Sequence, residues 1–117
     1  MGILDRLNAI AGGDIADLTA DTFDGFVSGS RLAFIDFWAD WCRPCKAMAP
    51  VLRRLARDYA RDVQFGKVDT EAEKPLAERF RVKSIPTYVM FKKGRVVERF
   101  SGAMSRDRLA KKIEKWL

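Results

Sequence analysis

The chain has 117 residues, 48% of them hydrophobic and 32% charged, with 22 Lys and Arg against 16 Asp and Glu for a net charge of +6. That length fits one domain and that apolar fraction a folded one, which argues against a disordered chain; about two-thirds of the unfolded surface can be buried, so folding needs no disulfide framework or structural metal. Two Cys and no His also exclude a single-chain Cys/His zinc site and any catalysis that turns on an imidazole.

No run of about 18 apolar residues is present, so no membrane-spanning helix is expected, and Met1 to Gly13 lacks the continuous apolar core of a secretory signal. The expectation is a cytoplasmic monomer with no membrane contact. The first 40 residues hold two basic and seven acidic groups, the remainder 20 and nine. Because the later Lys and Arg are spread over several segments, the surplus reads as a solvated basic surface, with no nucleic acid as partner.

In chain order, Ile3, Leu4, Leu7 and Ile10 fall at helical spacing before Gly12 and Gly13, so residues 1–13 read as an extension with a short amphipathic helix, and 14–117 as the domain. Ile15 to Leu18 suits an edge strand. Thr19 or Asp21 can cap a brief helix carrying Phe23, Phe26 and Val27. Ala33 to Trp38 is a nearly continuous apolar run, the pattern of a strand covered on both faces, and Asp36 interrupts it. After Cys42 the period becomes helical: Met48, Val51, Leu52, Leu55, Ala56 and Tyr59 mark one face, and Arg53, Arg54, Arg57 and Arg61 the other. Pro50 removes one backbone donor within that helix.

Val63 to Asp69 predicts a second central strand, and Pro75 opens a helix with Leu76, Ala77 and Phe80 inward. Tyr88–Lys92 and Arg95–Phe100 flank Lys93-Gly94 as a hairpin. Ser105 caps a last helix whose Leu109, Ile113, Trp116 and Leu117 face inward. The order β-α-β-α-β-α-β-β-α implies an α/β fold with a mixed sheet and helices on both faces.

The segment that carries chemistry is Trp41-Cys42-Arg43-Pro44-Cys45-Lys46, directly after a buried strand and at a helix start. Two Cys two residues apart there can close a small disulfide ring. Free backbone N–H groups and the positive end of the helix dipole favour a thiolate at Cys42, lowering its pKa below the free value of about 8.5. Cys42 is then the nucleophile, and Cys45, one turn further in and less exposed, the resolving thiol, with Pro44 stiffening the turn between them. Half a zinc or iron–sulfur site completed by a second chain, and two inert core thiols, are the alternatives. Neither calls for the strand-to-helix corner or the intervening proline.

The block Phe37 to Lys46, with Ala49-Pro50, Lys67-Val68-Asp69, Ile85-Pro86-Thr87, Phe91 to Gly94 and Gly102-Ala103, resembles the thioredoxin family from about Ile15 to the C-terminus. The resemblance implies a thioredoxin fold with about five strands. It also implies a thiol–disulfide oxidoreductase that reduces protein disulfides with no cofactor beyond the Cys42–Cys45 disulfide, and a disulfide reductase as electron donor. Asp36 matches the buried carboxylate beneath the site, raised in pKa by burial and able to accept a proton from Cys45, with Lys67 as its neighbour on the next strand. Pro86 matches the cis-proline that lets Ile85 pair with a substrate strand. Trp41, Ile85, Gly102 and Ala103 match the apolar docking patch, and Trp38 a tryptophan packed under the active-site loop.

The departure is Arg43, where thioredoxins usually carry Gly. An added cation beside Cys42 favours the thiolate and so a somewhat more oxidising disulfide, which keeps a disulfide oxidase or isomerase in view. A thioredoxin-fold binding module is the remaining reading. The dithiol, Asp36 and Pro86 weigh against it, since a scaffold needs none of them.

Overall fold

The computed structural model describes residues 13–117. Strands β1 (Ile15–Asp17), β2 (Leu32–Trp38), β3 (Gln64–Asp69), β4 (Thr87–Lys92) and β5 (Arg95–Ser101) alternate with helices α1 (Phe23–Gly29), α2 (Arg43–Asp58), α3 (Lys74–Arg79) and α4 (Arg106–Glu114). The sheet runs β1-β3-β2-β4-β5. β3 is parallel to both β1 and β2, while β4 is antiparallel to β2 and β5 to β4. This is the mixed sheet expected from the sequence; the helix expected around Ile3 to Ile10 lies outside the described residues.

Strand alternation divides the core in two. Leu32, Phe34, Phe65, Tyr88 and Met90 pack with Met48, Leu52 and Leu55 of α2 and Leu109 and Ile113 of α4. The opposite face, Ala33, Ile35, Phe37, Val68, Val89 and Phe91, packs with Phe23 and Val27 of α1 and Leu76 of α3. Full burial of one such side chain contributes about 1.5–3 kcal/mol, so both faces are needed. At Gly66 a Cβ would stand 2.6 Å from Leu18 Cδ1, so a larger residue there would have to push the Leu18 side chain aside.

The β4–β5 hairpin closes through Lys93 (φ 53°) and Gly94 (φ 81°), the two left-handed residues of a tight turn whose twist matches the strands. α4 is capped by Ser105, whose side chain accepts from the Arg108 N–H at 3.2 Å. It ends at Glu114, so Leu117, expected to face inward, is instead 50% exposed. Trp116 stays half-buried, its indole N–H donating to Glu98 Oε1 at 2.8 Å. Just beyond α3, Arg81 stands at φ 52°: the Val82 N–H donates to the Ala77 carbonyl at 2.9 Å and that of Arg81 to the Glu78 carbonyl at 3.0 Å. That double bond pattern closes a helix end and is usually built on glycine. Among the described residues no helix is long and apolar enough to cross a membrane.

Candidate active site

β2 delivers the chain through a turn, closed by the Cys42 N–H on the Ala39 carbonyl at 3.1 Å, to the first residue of α2. Cys42 occupies the N-cap with extended backbone (φ −87°, ψ 107°), and Pro44 lies in the first helical turn, where its missing donor costs nothing. The Cys42 sulfur takes the place of a capping oxygen: it accepts from the Cys45 N–H at 3.2 Å. A donor and the positive helix end thus point at one sulfur, the arrangement that stabilises a thiolate there. The two cysteines form a disulfide, with Cα atoms 5.3 Å apart.

The expected difference in depth is absent in this state. Cys42 is 3% exposed and Cys45 4%, because Ala39, Trp38 and Ile85 pack on the pair as a small cluster of its own. The exposed group is Trp41, at 69%. Cys42 Sγ lies 3.7 Å from the Ile85 carbonyl oxygen, which places the sulfur at the rim of the Ile85–Pro86 loop.

The Ile85–Pro86 peptide is cis. The Gly102 N–H donates to the Pro86 carbonyl at 2.9 Å, bringing Gly102 and the exposed Ala103 beside the same loop. Trp41 and Ile85 line a shallow cleft together with Thr70, Glu71, Val82 and Lys83. Sequence reasoning found the first two and missed the last four, which carry no motif and reach the cleft only through the fold.

Below the helix start, Asp36 sits on the α2 face of β2, 7% exposed, and its Oδ1 has no hydrogen-bond partner among the described residues. Burial pushes its carboxyl up to about 7, and the Lys67 charge opposes that rise. Lys67 is the register partner of Asp36 on β3, but the two form no ion pair. The Lys67 ammonium instead lies 3.6 Å from Asp17 Oδ1 and 5.2 Å from the centre of the Trp38 ring. Asp17, opposite Lys67 on the edge strand, offers a solvated partner, which spares the ammonium the desolvation that pairing with buried Asp36 would require. A cavity of about 370 Å³ joins Asp36 to the flank of α2, walled by Ala49, Leu52, Arg53, Arg57 and Lys67.

Arg43 is exposed, and no salt bridge forms on it among the described residues. Across the helix start, Lys46 and Asp40 form an exposed pair at 3.7 Å. Among the described residues no three Cys, Asp or Glu side chains gather as metal ligands; the redox group present is the disulfide itself.

The thioredoxin family model matches residues 14–115. The chain is 41% identical over 103 residues to a thioredoxin of Staphylococcus saprophyticus, covering 88% of this chain and 98% of that protein. It is 35% identical over 105 residues to the chloroplastic M-type thioredoxin of Spinacia oleracea, covering 89% of this chain and 58% of that one. A mutant thioredoxin from Halobacterium salinarum superposes with a TM-score of 0.84 at 30% identity, over 90% of this chain and 92% of the other. With its five-stranded mixed sheet and a Cys-X-X-Cys disulfide at a helix N-cap, the chain belongs to the thioredoxin family and is a thiol–disulfide oxidoreductase.

Proposed function

We propose that residues 14–117 form the working domain and reduce disulfides of other proteins in the cytoplasm, as a monomer re-reduced by a disulfide reductase, with residues 1–13 an extension to it. The observation that carries the mechanism is the Cys45 N–H aimed at Cys42 Sγ at the start of α2. In the reduced protein that donor and the helix end hold Cys42 as thiolate. It attacks one sulfur of the substrate disulfide, forming a mixed disulfide and releasing one substrate thiolate. Asp36, as carboxylate, takes the proton of the Cys45 thiol. The Cys45 thiolate then attacks Cys42 Sγ, the mixed disulfide breaks, and the second substrate thiolate leaves. Two electrons have passed to the substrate, and the proton on Asp36 leaves through the cavity beside Lys67.

Trp41, Ile85, Gly102 and Ala103 frame the substrate segment in this reading, with the backbone of Ile85, preceding cis-Pro86, available for strand-like pairing. Pro44 holds the helix start. An insulin-reduction assay tests the cycle: Cys42→Ser abolishes turnover, and Cys45→Ser accumulates mixed disulfides with substrate. Failure to trap any would remove the assigned order of attack.

The Arg43 cation favours a second reading, a disulfide more oxidising than a general reductant's and closer to an isomerase. The reduction potential of the Cys42–Cys45 couple against glutathione separates the two.

A further inference from the structure

Three buried polar atoms lack a hydrogen-bond partner among the described residues: Asp36 Oδ1, Trp38 Nε1 and Tyr88 Oη. All three side chains leave the sheet on the α2 side. Tyr88 stands on β4 directly across from Asp36 on β2, and opposed residues on antiparallel strands have Cβ atoms about 4.5–5.5 Å apart. The two side chains therefore leave neighbouring positions on one face of the sheet, with no hydrogen bond between them in this structure. Tyr88 is fully buried, its ring 5.4 Å from that of Phe34 and 5.4 Å from that of Phe100. Packing against those rings would be served by Phe, without a hydroxyl left unpaired in an apolar interior.

We propose that Tyr88 is a positioning residue for Asp36: when the carboxyl gives up its proton, the phenolic O–H turns onto the carboxylate and holds it beneath α2, and when the proton returns the bond is released. The proposal rests on the reading of Asp36 as proton acceptor. Burial, with the Asp36 charge adding to it, pushes the phenol above its ordinary range, so Tyr88 remains a donor at every pH at which the enzyme works.

The other groups facing Asp36 do different things. Lys67 of β3 acts through its charge, already partnered by Asp17 of β1. Arg53 and Arg57 of α2, with Asp14, stand on the walls of the cavity beside it. Cys42 and Cys45 are the reacting groups above it. α4 contributes the apolar Leu109 and Ile113. The rival neutral donor is the Trp38 indole on β2 itself.

The test is a carbon-13 NMR titration of the Asp36 carboxyl in the full chain, wild type against Tyr88→Phe, with the pH profile of Cys45 resolution measured beside it. A hydrogen bond to the charged form lowers a carboxyl pKa, so its loss raises the Asp36 midpoint by about half to one unit, a three- to tenfold weaker acid. The resolution profile moves up with it. In wild type, the phenolic proton resonance of Tyr88 tracks the Asp36 titration, a readout that needs no variant. An unmoved or lowered midpoint, or a shift produced by Trp38→Phe and not by Tyr88→Phe, overturns the proposal. If the midpoint rises while Asp36→Asn leaves the resolution profile intact, the Tyr88 contact stands and the assignment of Asp36 as proton acceptor falls.

Discussion

The two faces of the sheet use the same strands to opposite ends. Toward α1 and α3, β2 and β4 present Ala33, Ile35, Phe37, Val89 and Phe91, all at most 3% exposed, and one polar residue, Thr87, whose hydroxyl is satisfied by the Ser84 carbonyl. Toward α2 and α4 the intervening residues are Phe34, Asp36, Tyr88 and Met90, so an ionisable group and a phenol stand in an otherwise apolar layer under the helix that carries the disulfide. One face supplies cohesion. The other gives up some of it to hold a carboxyl beneath the helix that carries the disulfide, and the penalty appears only when Asp36 is charged.

That difference can be broken experimentally, beginning with the charged face. Asp36 is an acid whose folded pKa, about 7, exceeds its ordinary 3.8. Its contribution to stability is therefore intact below pH 4 and lost as pH rises to 7, because unfolding lets the carboxyl ionise in water. Asp36→Asn removes this dependence. Relative to wild type, the variant gains up to roughly 4 kcal/mol between pH 4 and pH 8, measured by guanidinium unfolding at both pH values; a constant difference would mean that Asp36 is not held neutral by burial. Turnover falls in the same variant.

On the apolar face, Ile35→Val costs about 0.5–1.5 kcal/mol at every pH, with the reduction potential unchanged; a pH-dependent cost would show that the two faces are coupled. The smallest effect belongs to Arg43, outside both. An exposed charge favouring the thiolate is expected to move the potential by roughly 5–20 mV, so Arg43→Gly makes it more negative by that much. An unchanged or less negative value removes the case for an oxidising bias.

Much of this was legible in the residues. The central strands announced themselves because burial on both faces leaves an apolar run at Ala33 to Trp38, and Cys42 and Cys45 declared their chemistry by standing at a strand-to-helix corner. Other features depend on which strands become neighbours, and spacing does not encode that. Asp17 meets Lys67 only because β1 pairs with β3 across a crossover, and nothing near Tyr88 in the chain shows that it faces Asp36. The near-equal burial of the two sulfurs also escaped, since it comes from Ile85, 43 residues beyond Cys42. The left-handed turn after α3 escaped as well, because Arg81 stands where glycine is the usual signal.

Arg99 of β5 donates to the carbonyls of Phe80 and Arg81, the latter at 2.8 Å. The edge strand thereby fastens the end of α3 just ahead of the segment leading to Ile85. On the proposed reading, in which the Ile85–Pro86 loop receives the substrate, a loop tethered at both flanks arrives already ordered, so an incoming polypeptide forfeits little of its association free energy to freezing it. Selectivity among targets then falls to their shape and flexibility, with adaptation left to the visitor.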